Sequence, residues 1–182
     1  MFSKAIVRTP GKSLINGLTD SSHLGVPDYS QAIIQHQAYI EALKFCGLEV
    51  TVLEPCEDYP DSTFVEDVAL ITPSCAIMTR PGAESRRGEV EHISSLLVSQ
   101  FKYLETIDAP GTIEAGDIMM VRSHFYIGLS DRTNIQGANQ LIALLEKYGY
   151  TGSTVELKDV LHLKTGLSYL ENNILAICGE FK

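Results

Sequence analysis

Residues 67–79, Asp67-Val68-Ala69-Leu70-Ile71-Thr72-Pro73-Ser74-Cys75-Ala76-Ile77-Met78-Thr79, hold two apolar runs around a Pro73-Ser74 turn. Short apolar runs bounded by turn residues predict a β-hairpin. The pattern returns from Asp117 to Gly128, turning at Arg122-Ser123, and again from Leu167 to Cys178 around Asn172-Asn173. The starts at 67, 117 and 167 lie 50 residues apart. A regular period of that size marks a repeated structural unit.

Each hairpin continues alike. Val90, Ile93, Leu96, Leu97 and Phe101 fall at helical spacing, which predicts a helix over 85–100 and then a strand over 102–106. The next unit predicts a helix over 134–148 (Leu141, Ile142, Leu144, Leu145), closed by Gly149, and a strand over 153–157. The N-terminal part fits more loosely: strand Phe2–Val7, helix Tyr29–Phe45 closed by Gly47, strand Glu49–Leu53. The unit is therefore strand–strand–helix–strand. One small sheet with one helix cannot bury both faces, so such units pack on one another. The expected fold is α/β: a ring of ββαβ units, an α/β propeller, as one domain over 1–182. A stack of ordinary α/β layers is the alternative. After the third hairpin only Gly179-Glu180-Phe181-Lys182 follow, so the ring is expected to be incomplete, at about three and a half blades. An open ring exposes sheet edges, so aggregation or pairing with a second copy as a homodimer is expected.

With 182 residues and a net charge of −9, the chain is a poor partner for nucleic acid or an anionic membrane, and it favours a cationic small molecule. No apolar run is long enough to span a membrane. The four cysteines (Cys46, Cys56, Cys75, Cys178) form no CxxC and the five histidines no HExxH. A cytoplasmic protein with no metal and no cofactor is the expectation.

The residues able to carry chemistry collect just ahead of the hairpins. Pro60-Asp61-Ser62-Thr63-Phe64-Val65-Glu66-Asp67 puts three carboxylates and an aromatic before the first. Carboxylates at the mouth of a buried strand need a cation or N–H donors, so this is a cationic-ligand site or else a solvated loop. Glu114 precedes the second hairpin in Thr112–Asp117, and His162 the third in Leu161–Gly166. Their comparable repeat positions would turn both toward the centre of a ring, as an acid orienting an imidazole. Arg86 (in Arg80–Arg87) and Arg132 (in Leu129–Asn134) are cations just before the two helices, able to grip one carboxylate.

The motifs PDSTFVEDVAL, TRPGAESRRGE, TIEAGDI, GLSDRTN and LHLKTGLSYL, in that order along the chain, resemble the dimethylarginine dimethylaminohydrolases of the guanidino-group-modifying, pentein superfamily. The resemblance implies a five-bladed α/β propeller. It implies hydrolysis of N-methylated arginine, a small guanidine, to citrulline and a methylamine through a covalent cysteine intermediate. His162 would be the general acid/base, and Glu114 would orient it and share in holding the guanidinium. Asp67 and Glu66 would hold the guanidinium and Phe64 would pack on its face. Asp61 and the backbone of Leu18 would meet the substrate's amino-acid end, and Arg86 and Arg132 its carboxylate. The family's nucleophilic cysteine lies near the end of the fifth blade, and none of the four cysteines here matches it. These 182 residues alone are therefore expected to be inactive. Arginine deiminases carry an aspartate two residues after the histidine; here that residue is Lys164, which favours methylated over free arginine. The alternatives are an arginine deiminase or amidinotransferase relative, and a catalytically inactive guanidine-binding module.

Overall fold

The computed structural model describes residues 2–181, and its contacts divide into two units that meet between Val65 and Glu66. In the first, β1 (Lys4–Arg8) pairs in parallel with β2 (Glu49–Leu53), in register from Lys4 opposite Glu49 to Arg8 opposite Leu53. Parallel neighbours need a crossover, and α1 (Tyr29–Phe45) supplies it. Asp28 caps α1 by accepting the Gln31 N–H at 3.0 Å. Gly47 ends it with a φ of +85°, a conformation open to glycine at little cost. The expected helix and second strand are found as read; the first strand starts two residues later.

The second unit is built from repeats. β3 (Ala69–Ile71) and β4 (Ala76–Met78) form an antiparallel hairpin, and β5 (Leu104–Thr106) returns through α2 (Glu91–Gln100) to lie parallel to β4. β6 (Ile118–Val121), β7 (His124–Leu129), α3 (Ile135–Glu146) and β8 (Thr151–Glu156) repeat that topology. β9 (Leu167–Tyr169) and β10 (Leu175–Ile177) form the third hairpin. The first strands open at 69, 118 and 167, which gives a period of 49.

Local chemistry accounts for the turns. Thr72 Oγ1 accepts the N–H groups of Ser74 and Cys75 at 3.2 and 3.0 Å, which closes the first hairpin. Asn172 and Asn173 take φ values of +51° and +60° in the third, a region that asparagine tolerates better than most residues. Ala138, Leu141 and Leu145 present one helical face of α3 to Ile118, Phe125 and Ile127 of its sheet, and Cys75, Ile77, Ile107 and Ile113 join them in one core. Each large apolar side chain buried there contributes roughly 1.5–3 kcal/mol.

The helix expected over 85–100 is divided. Glu84–Val90 is a 3₁₀ segment, and α2 begins only at Glu91. Residues three apart eclipse in a 3₁₀ turn, so Arg86 and Glu89 lie on one face, as their pairing demands. Short 3₁₀ turns also precede all three hairpins: Val65–Val68, Ala115–Asp117 and Leu163–Thr165. Those turns place the site.

Candidate active site

Asp67 lies in the first of these turns. Glu114 stands immediately before the second, with Asp117 at its end, and His162 stands immediately before the third. The repeat brings three of these side chains together: donor atoms of Asp67, Glu114 and His162 lie within 4.8 Å of one another. Asp67 and Glu114 are buried and His162 is nearly so, at 14 % side-chain exposure.

Asp67 divides its oxygens. Oδ1 accepts the Gly116 N–H at 2.9 Å, and Oδ2 accepts from Arg86 Nη1 at 2.7 Å. Arg86 also donates to Glu89, Nε to Oε1 at 3.0 Å and Nη2 to Oε2 at 2.9 Å. A planar guanidinium gripped on two edges is a strong charge-assisted arrangement, and its pKa is driven upward although burial alone would lower it. Glu114, 1 % exposed, accepts the Ala83 N–H at 3.1 Å through Oε1. Oε1 is 3.7 Å from Arg132 Nη1, and Oε2 is 3.9 Å from Arg86 Nη1 and 3.6 Å from His162 Nε2. Oε2 has no aligned hydrogen bond.

Asp117 is fully buried, and its hydrogen-bond donors come from two segments. Oδ2 accepts from Ser130 Oγ and Thr133 Oγ1, both at 2.7 Å, and Oδ1 accepts the Leu163 N–H at 3.1 Å. Thr133 Oγ1 also accepts the Glu114 N–H at 3.2 Å, linking the two acids. His162 Nδ1 lies 3.2 Å from Asp117 Oδ2, within ion-pair distance although the two are not aligned as a hydrogen bond. Burial works against the imidazolium. The Asp117 contact, followed by the charges of Asp117, Asp67 and Glu114, outweighs it and raises the pKa above the ordinary 6.5. Gly116 makes room for the ring: a Cβ there would fall 2.8 Å from His162 Cδ2 and 3.1 Å from Asp67 Oδ1.

Among the described residues, the four acids Asp67, Glu89, Glu114 and Asp117 outnumber their arginine partners Arg86 and Arg132 by two, before His162 is counted. Each surplus charge attracts a cation about 4 Å away by roughly 4 kcal/mol at an effective dielectric near 20. With both Asp67 oxygens already engaged by N–H donors, the chemistry suits a planar cation bearing N–H groups.

Glu66 is exposed and forms an ion pair with Lys164. In the first unit, Leu18 N–H donates to both oxygens of buried Asp61, at 3.0 and 3.3 Å, and Gly17 leaves space for that carboxylate. Phe64 is exposed. Sequence reading missed Glu89, Asp117, Ser130 and Thr133. Only the Arg86/Glu89 spacing of three was locally legible.

Repeated hairpin–helix–strand units that gather acids and an imidazole at their strand entries fit the guanidino-group-modifying class that the motifs resemble. A family model described as eukaryotic N,N-dimethylarginine dimethylhydrolase matches residues 27–181. The chain is 60 % identical over 182 residues to N(G),N(G)-dimethylarginine dimethylaminohydrolase of Pseudomonas aeruginosa, covering all of this chain and 71 % of that protein. A cysteine-to-serine variant of the P. aeruginosa protein, solved in complex with citrulline, superposes with a TM-score of 0.97 over all of this chain and 71 % of the solved one. A histidine-to-glycine variant of a dimethylarginine dimethylaminohydrolase, solved as an adduct with S-methyl-L-thiocitrulline, is 59 % identical, with a TM-score of 0.96 and the same coverage. The chain belongs to the dimethylarginine dimethylaminohydrolase family and is of the hydrolase class.

Proposed function

We propose that the intact protein hydrolyses N-methylated arginine to citrulline and a methylamine. The convergence of Asp67, Glu114 and His162 within 4.8 Å carries this reading, together with the relative's activity and the cluster's surplus negative charge. A guanidinium is a poor electrophile because its charge is delocalised. The site answers in two ways: carboxylates fix its edges, and an imidazolium protonates the departing nitrogen. Asp67 and Glu114 accept the guanidinium N–H groups. A cysteine thiolate adds to the central carbon, and His162 gives its proton to the methylated nitrogen as the C–N bond breaks. An S-alkylthiouronium remains. The now neutral imidazole takes a proton from water and the hydroxide adds to the same carbon; the new hydroxyl then loses its proton to solvent as the C–S bond breaks, which releases citrulline and thiolate.

None of the four cysteines suits that role. Cys75 is buried beside Thr72 with its pKa pushed up by burial, Cys56 is buried, and Cys46 and Cys178 are exposed strand- or helix-end residues. We assign the thiolate to a residue outside 1–182, in a five-bladed ring in which 1–182 belongs to one domain. Arg86 and Arg132 meet the substrate carboxylate, and Asp61, the Leu18 backbone, Phe64 and Glu66 complete the binding of its remaining groups. Lys164 holds Glu66 instead of presenting an acid to an unmethylated nitrogen, which supports methylated arginine over arginine. Four free cysteines fit the reducing cytoplasm. Homodimer formation is checked by light scattering.

The test extends the protein beyond Lys182 and measures citrulline release from asymmetric dimethylarginine and from arginine. Turnover of the methylated substrate, abolished in His162→Gln, is expected. A soluble, folded protein that binds dimethylarginine without turning it over overturns the hydrolase reading in favour of a binding module. Preference for arginine overturns the substrate assignment.

A further inference from the structure

The carboxylate facing His162 most closely is Asp117, not Glu114. Three observations set Asp117 apart. Its Oδ2 lies 3.2 Å from Nδ1, whereas Glu114 Oε2 lies 3.6 Å from Nε2, and neither contact is aligned as a hydrogen bond. Its position is fixed by two hydroxyls and one backbone N–H drawn from two segments of the chain. Among the described residues it forms an ion pair with no cation other than His162, while Glu114 is within 4 Å of both Arg86 and Arg132. The hydroxyls orient the Asp117 charge without neutralising it, so its field falls on the ring.

The repeat shows that this arrangement is built in. Asp67 accepts the Gly116 N–H of the turn before the second hairpin, just as Asp117 accepts the Leu163 N–H of the turn before the third. Each aspartate also takes donors from the segment that leads into its own repeat's helix: Arg86 for Asp67, Ser130 and Thr133 for Asp117. The second of these latches substitutes hydroxyls for a guanidinium, and there the imidazole lies 3.2 Å from the carboxylate. Thr165 fixes the backbone of His162 from the other side: its Oγ1 accepts the His162 N–H at 3.2 Å, and its own N–H donates to the His162 carbonyl at 3.1 Å.

We infer that Asp117 is the positioning residue for His162: it retains the proton on Nδ1 and leaves Nε2, which faces Glu114, as the atom that exchanges a proton with substrate. Glu114 is thereby left to accept from the guanidinium through the buried Oε2 that has no aligned donor. The inference deepens the hydrolase reading and rests on it for the word substrate, but the state of the ring is measurable without turnover. The charged groups facing the ring are Asp117, Asp67 and Glu114, with Arg86 and Arg132 acting through Glu114.

The experiment is ¹⁵N NMR of the His162 ring in residues 1–182. In the unsubstituted chain above the titration midpoint, the Nδ1–H tautomer is expected. A predominant Nε2–H tautomer overturns the inference and needs no variant. Asp117→Asn keeps the shape of the side chain and is expected to shift the His162 midpoint downward and mix the tautomers. Glu114→Gln is expected to leave the Nδ1–H tautomer in place. The reverse ranking, with Glu114→Gln disturbing the tautomer and Asp117→Asn not, returns the orienting role to Glu114. In an extended, active protein, Asp117→Asn is expected to lower kcat by about 10²-fold with a displaced pH profile and little change in KM. Absence of turnover in the parent would sink the hydrolase reading while leaving the NMR result to decide this one.

Discussion

Gly116→Ala adds a single methyl where the histidine ring crosses the backbone. The new Cβ would stand 2.8 Å from His162 Cδ2, 2.9 Å from Cγ and 3.1 Å from Asp67 Oδ1. Ordinary carbon–carbon contact is about 3.5–4.0 Å, so the ring has to retreat by about 0.7 Å or more. The Gly116 N–H to Asp67 bond survives in principle, because the substitution leaves the backbone donor in place. What is lost is the registry of the ring between Asp117 and Glu114, where Nδ1 and Nε2 stand 3.2 and 3.6 Å from their acids. Overpacking a dense site costs about 1–3 kcal/mol, and misplacing an acid/base by around 1 Å costs on the order of 10²-fold in rate. Chemical denaturation reads the first quantity and citrulline release by the extended protein the second, with the His162 titration midpoint falling toward 6.5 as the field of Asp117 weakens. A variant as stable as the parent, with an unaltered His162 titration, would show that the ring does not rest on Gly116 and would undo the account of how the cluster is assembled.

Arg86→Met leaves Asp67 and Glu89 buried without their shared cation and is expected to destabilise by about 3–5 kcal/mol in urea denaturation; adding Glu89→Leu should recover a substantial part of that. A loss under 1 kcal/mol would mean that water reaches the pair. Because the His162 pKa is raised on folding, its stabilising contribution is complete below about pH 6.5 and is lost as pH rises through the folded value. Denaturation midpoints should show that component declining as pH rises above about 6.5, and it should vanish in His162→Gln. Asp61→Asn weakens the doubly accepted Leu18 N–H and is expected to cost about 1–2 kcal/mol, read as lower thermal stability of the first unit's signals in NMR.

Much of this fold can be read in local sequence. The three hairpins, α1, β2 and α3 follow from apolar period and turn residues, and the structure places them within a few residues of those expectations. The 3₁₀ segment Glu84–Val90 was not legible, because a helical apolar period cannot distinguish an α-helical first turn from a tighter one; the ion pair across three residues makes that choice. The family was legible too, from five motifs in order, and the comparisons bear it out.

Sequence by itself determined that polar residues gather ahead of each hairpin at a near-constant interval. An interval of that kind specifies a repeated unit, because identical local patterns fold to identical local geometry. Only the tertiary structure decided which of those residues meet. His162 faces Asp117 across 45 residues of chain, and Asp67 meets Gly116 across 49. Arg86, read as a ligand for a substrate carboxylate, also donates to Asp67 and Glu89 in the structure. Pairings over such separations are set by how successive repeats pack and by which buried charges can neutralise one another. Neither quantity is contained in local spacing.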